Sequence, residues 1–217
     1  MANRPEILAE LLGRVPFLYH PRIFDHPGPV LNFGAHGWHY VEPFVGKKNI
    51  IGIDPCPVTK PPEGCTLLRR AVAPFDGIIE IKGGIPQVRA GAQGMAWYES
   101  GDELAYLAKA IRMKDLVERY GHDWAGLKIN IEGTELLELI MLKEPIADQM
   151  TVAFHDRSRT GGDVFLPTAR DGVMHHLDNW YDWVQVEPKN DWWFFLRRDP
   201  ADWNPNRTRG YAGVEPT

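Results

Sequence analysis

The heptapeptide LKINIEG, residues 127–133, alternates apolar and polar side chains. A period of two puts Leu127, Ile129 and Ile131 on one face of a strand and Lys128, Asn130 and Glu132 on the other. A strand covered on both sides is nearly all apolar, so the second face either meets solvent, as on an edge strand, or lines a polar cavity. Helical patterns lie on both sides of it in sequence. ELAYLAKAIRMKDLVERYG contains helical periodicity, at least over residues 113–120, closing at Gly121, a C-cap residue, while TELLELIML starts at Thr134, which is placed to cap a helix. Helix, strand, helix is the setting of an interior strand in an α/β sheet.

Further out, PVLNFG and NIIGID read as apolar strands joined by the glycine turn Asn32-Phe33-Gly34-Ala35-His36-Gly37 and by a brief helix over residues 36–45, interrupted by Pro43. CTLLRRAVA is a third strand, and residues 76–101 are β-rich with glycine turns, suited to a hairpin and a loop over one sheet edge. QMTVAFHD is another strand, ARDGVMHHLDNWYDW a helix, and VQVEP with WWFFLRR a closing antiparallel pair. The expectation is an α/β fold with a mostly parallel sheet. Residues 1–29 form a proline-punctuated extension with a short helical pattern at 5–12, residues 30–198 the domain, and residues 199–217 an irregular tail.

The 217 residues are 44% hydrophobic and 24% charged, which suits one compact domain. A formal net charge of −5 disfavours a broad nucleic-acid surface, although Arg157 and Arg159 could hold one anionic group. Neither an apolar run of membrane-spanning length nor an export signal is expected, and Cys56 and Cys65 are too few for a disulfide framework. A cytoplasmic protein with a small-molecule or glycan-like partner fits these properties.

In parallel sheets ligands bind beyond the carboxyl ends of strands, where the strand order reverses. At the first exit the glycines allow close approach of the backbone, and a helix start there would offer free N–H groups; a tight structural turn explains them equally well. Asp54, 22 residues after Asn32, is placed to accept both ribose hydroxyls of an adenosine-type cofactor, or simply to start a turn with Pro55. His36 and His39 lack a third metal ligand of fitting spacing, and His175 with His176 point in different directions on a helix. The cluster NWYDWVQV…DWWFFL reads as packing, with a sugar platform as the alternative.

In order and spacing, VLNFGAHGWHY…IIGIDPCP, LKINIEGTELLELI and VAFHD resemble the FkbM-type S-adenosylmethionine-dependent methyltransferases over about residues 30–156. The KIxxEGxE stretch is the specific part; the glycine turn is generic. The resemblance implies a class I methyltransferase (Rossmann-like) fold: a seven-stranded, mostly parallel sheet with a terminal antiparallel strand and helices on both faces. It also implies S-adenosylmethionine as cofactor and methyl transfer to a hydroxyl of a sugar or natural product. By position, Gly34, Ala35 and Gly37 would border the methionine part, Asp54 would hold the ribose, and Lys128, Glu132 and Glu135 match the signature. Asn32 and Asn130 stand where the family carries acids; as amides they can still hydrogen-bond the cofactor.

Because the cofactor carries its own leaving group, the protein's tasks are alignment of the acceptor oxygen and removal of its proton. Glu132 and His155, at two strand exits, are the candidate bases, though either could be structural. Asn130 is a poorer ligand for a hard cation than an aspartate, so no metal is expected. An NAD-type oxidoreductase is disfavoured because the third glycine of GxGxxG and a Tyr-x-x-x-Lys pair are lacking. A non-catalytic cofactor-binding or assembly module of the same fold remains an alternative. Acceptor identity would depend on loops at residues 83–101 and 157–171.

Overall fold

The computed structural model describes residues 4–57, 59–82, 85–88, 97–100, 103–131, 134–154 and 166–203, with the backbone alone described within 80–106 and 166–168. A short hairpin, β1 (Leu12–Arg14) and β2 (Phe17–Tyr19), comes first. Three parallel strands follow, β3 (Val30–Phe33), β4 (Ile50–Ile53) and β5 (Cys65–Leu68). A second sheet is then built from β6 (Ala71–Val72), β7 (Ile78–Lys82), β8 (Ile85–Val88), β9 (Trp97–Ser100) and β10 (Glu103–Ile111). The chain returns through α1 (Met113–Tyr120), β11 (Gly126–Ile129), α2 (Glu135–Ile140), β12 (Gln149–Ala153), α3 (Leu166–Leu177), β13 (Tyr181–Glu187) and β14 (Trp192–Arg197).

The main sheet has seven strands in the order β13-β14-β12-β11-β3-β4-β5. From β3 the chain adds β4 and β5 on one side, then crosses to add β11 and β12 on the other. All neighbours are parallel except β14, which is antiparallel to both β12 and β13. β11 is thus an interior strand with all four residues buried, which removes the edge-strand reading. Its polar face is matched by the neighbouring strands: Gly52, Asn32, Lys128 and Thr151 form one row across β4, β3, β11 and β12.

The opposite, apolar face carries Leu31, Phe33, Ile51, Ile53, Leu127, Ile129, Met150 and Val152, packed with residues of α1, α2 and α3 in one core. Helices on both faces were expected, but every α-helix among the described residues packs on this face. The other face is covered by the amino-terminal segment and by turns after β3. Ile23, Trp38, Tyr40, Val41 and Phe44 pack there against Val30 and Ile50, and Ile7 packs against Val184, Phe194 and Leu196. Pro5, Pro16, Pro21, Pro27, Pro29 and Pro43 account for the absence of α-helix, since each removes a backbone donor and restricts its predecessor.

Several local expectations change, and CTLLRRAVA, expected as one strand, divides into β5 of the main sheet and β6 of the second. Residues 36–45 form no α-helix; Val41 N–H bonds Trp38 O, Phe44 N–H bonds Val41 O, and only a 3₁₀ turn at Glu42–Phe44 results. The pattern at residues 5–12 is likewise a 3₁₀ turn, Pro5–Glu10. ARDGVMHHLDNWYDW is helical only to Leu177, because Tyr181 already starts β13 and its aromatic ring is buried. By contrast α1 spans the expected residues and ends at Gly121, whose φ is +83°. Among the described residues no helix is long and apolar enough to cross a membrane.

Candidate functional site

The order of the main sheet reverses between β3 and β11, so their exits and that of β4 define the crevice to examine. β3 leaves into Gly34 at φ +74°, and a Cβ there would lie 1.8 Å from the Asn130 carbonyl oxygen. Glycine is required on both counts. The two exits are also joined by Asn130 N–H to Phe33 O at 3.1 Å. The expected free N–H groups are not offered: Gly34 N–H and Ala35 N–H both donate to Ile53 O, at 2.9 and 3.3 Å. Ala35 is buried in the core beside Trp38, whereas a Cβ on Gly37 would meet the His39 ring at 3.5 Å, an ordinary contact.

Asp54 ends β4 on the same side of the sheet as Asn130. It is 6% exposed, and its Oδ1 accepts the Cys56 N–H at 2.7 Å, so the turn function foreseen for it is real. Burial pushes its carboxyl above the ordinary range, opposed by the Cys56 N–H and by the charges of His36, Lys128 and Arg69. An acid at a strand exit, with one oxygen fixed by a turn, is held in one orientation.

Lys128 is 4% exposed, and its Nζ donates to Phe33 O at 3.1 Å and Gly34 O at 2.8 Å. The signature lysine therefore holds the carbonyls of the first turn. Its row neighbour Asn32 is wholly buried, with neither amide atom hydrogen-bonded. Asn130 Oδ1, at the crevice, is a buried acceptor without a partner. Glu135 is buried, and its Oε1 accepts Ile131 N–H at 3.0 Å, fixing the exit of β11 from the helix side. Thr134 occupies the N-cap position of α2 but makes no capping bond; its hydroxyl donates to Val72 O instead, tying α2 to β6. Glu132, His155 and most of the two acceptor-loop stretches lie outside the described residues.

The remaining histidines and aromatics serve surface pairs or packing. His39 pairs with Glu42 at 2.9 Å on the surface, and His176 bonds the Leu142 carbonyl and meets Trp180 edge-on. Trp192 and Trp193 are buried, against Phe17 and Trp183 respectively. One charged group escaped notice in the sequence. Glu138, three residues after Glu135, is 5% exposed with Oε1 unpartnered, and burial pushes it up to about 7 despite the N–H of Met113 at the start of α1. The signal was its i, i+3 spacing from Glu135, which puts both carboxylates on one helix face.

The chain has no significant match among protein-family models, curated proteins or solved structures.

Proposed function

We propose that the protein is an S-adenosylmethionine-dependent O-methyltransferase, FkbM-like, with a class I methyltransferase fold, acting on a hydroxyl of a saccharide or natural product. The observation that carries this reading is the close approach of Gly34 and Asn130 where the strand order reverses, with Asp54 at the exit of the next strand. The seven-stranded sheet with one antiparallel strand next to its end agrees with what the sequence resemblance implies.

The residues present fit the cofactor. Asp54 supplies a carboxylate for the ribose hydroxyls, and Asn130 Oδ1 is an orphaned acceptor for a ligand N–H. Asn32 and Ala35 are wholly buried, so their side chains are not offered to a ligand. The cofactor supplies an activated methyl group together with its leaving group. The chain orients the acceptor oxygen, worth about 7–11 kcal/mol in favourable cases, and removes its proton, worth roughly 3–5 kcal/mol. Glu132 and His155 are the proposed proton acceptors.

The test is thermal stabilisation by S-adenosylhomocysteine, joined to transfer of tritiated methyl to glycan and metabolite pools. Stabilisation with transfer supports the reading; absence of both sinks it. A non-catalytic cofactor-binding or assembly module is the second reading, favoured by the commitment of the Gly34 and Ala35 amides to Ile53 O. Binding without transfer to any pool would select it.

A further inference from the structure

Between β13 and β14 the chain passes through a 3₁₀ turn, Pro188–Asn190, into Asp191, which sits at φ +51° and ψ +46°. Among the described residues no other non-glycine has a left-handed φ. If the backbone alone dictated the residue, glycine would serve at lower cost. The aspartate is explained by what its oxygens receive. Oδ1 accepts Gln185 Nε2 of β13 at 3.0 Å and Trp193 Nε1 of β14 at 2.8 Å, and Oδ2 accepts Arg170 Nη1 of α3 at 2.9 Å. The Asp191 and Arg170 side chains are each 22% exposed, so their charge-assisted bond is partly shielded from solvent and salt. The main chain of Asp191 has a partner as well. Its carbonyl accepts the Phe154 N–H at 3.1 Å and so carries the pairing of β12 with β14 one residue past Ala153 and Trp192. Phe154 is the residue before His155, one of the two proposed proton acceptors, and Arg170 stands near the end of residues 157–171, the second stretch expected to shape the acceptor site.

We infer that Asp191 is a positioning residue of the proposed reaction: it fixes the chain at the exit of β12, immediately before His155, against Arg170 of α3. This rests on the methyltransferase reading for the role of His155, but not for the anchoring of the exit. The three side-chain donors come from β13, β14 and α3, and together they hold Asp191 in its costly left-handed conformation. That conformation carries the carbonyl that receives the Phe154 N–H. Removing the carboxylate loosens this anchor without touching Gly34, Asp54 or Asn130, which lie at the exits of other strands.

Two substitutions test this in the full chain. Asp191→Gly accepts the left-handed φ and keeps the backbone carbonyl but removes every side-chain bond. Its Phe154 amide is expected to exchange with solvent deuterium about tenfold faster or more, while the Asn130 amide, bonded to Phe33 O at the β11 exit, keeps its rate. Turnover at saturation should fall about tenfold or more, with S-adenosylhomocysteine affinity within about twofold of the unmodified protein. Asp191→Asn keeps the tolerance for this φ and one acceptor oxygen, and removes only the charge that Arg170 meets. It folds even if Asp191→Gly does not, and its exchange rate and turnover should lie between those of Asp191→Gly and the unmodified protein. An unmoved Phe154 rate in both variants overturns the inference, as does a faster rate with turnover unchanged. Equal acceleration at Phe154 and Asn130 also overturns it, since a general loss of stability acts on both exits. Should the unmodified protein bind no S-adenosylhomocysteine and transfer no methyl, the methyltransferase reading falls, while the Phe154 and Asn130 rates still decide whether Asp191 anchors the exit of β12.

Discussion

Two glycines three residues apart look alike in NFGAHG, yet their surroundings separate them. Gly34 combines a left-handed φ of +74° with a backbone oxygen 1.8 Å from any Cβ, and Gly37 has neither constraint. Gly34→Ala should therefore cost at least about 2–3 kcal/mol in urea denaturation, from left-handed strain and displacement of the Asn130 carbonyl, while Gly37→Ala stays within about 1 kcal/mol. At the site itself, Asp54→Ala should weaken S-adenosylhomocysteine binding by about tenfold or more with turnover at saturation largely kept. Glu132→Gln should do the reverse, a split that equilibrium binding and steady-state kinetics resolve. The spacing from Asn32 to Asp54 and the alternation in KINIEG made these positions readable in sequence, because strand period and strand exit are local properties. What stayed hidden was the destination of each hydrogen bond. That the amides of Gly34 and Ala35 serve Ile53, and that Lys128 serves the turn, depends on neighbours about 20 and 95 positions away.

Elements with strong periodicity emerged where expected, and those opposed by proline did not. The helix α1 and the strand β11 follow their patterns closely, but ELAYLAKAI became the long strand β10, since pairing with β7 and β9 outweighs its mild helical composition. Between α2 and α1 the buried Glu138 gives a pH-dependent contact. Its carboxyl rises from 4.5 to about 7 on folding, so the folded state holds the proton more tightly. The stabilisation from the protonated form is complete below about pH 4.5 and is lost as pH rises through about 7, on the order of 2–3 kcal/mol in all. Glu138→Gln should flatten this part of the profile, measured as the urea-unfolding free energy between pH 4.5 and 8. An unchanged slope would mean that another group titrates there.

For the whole molecule, the sheet class was legible and the covering of its second face was not, because a proline-rich segment has no period that announces burial. That segment is fastened by side chains. Thr151 donates to Leu18 O, the Gln149 amide exchanges two bonds with the His20 backbone, and Arg22 grips both oxygens of Asp148 at 2.7 and 2.8 Å while reaching Arg197 O. Arg22→Met should lower the unfolding free energy by at least about 2 kcal/mol, since it leaves the buried Asp148 carboxylate without its bidentate partner. Chemical denaturation of the two proteins measures the difference. The fastening also dictates an order of events. Its partners lie 126 to 175 positions along the chain, at the start of β12 and at the end of β14, so the grip cannot be complete until the last strand exists. The segment is made before the strands it covers yet completes its docking only after them.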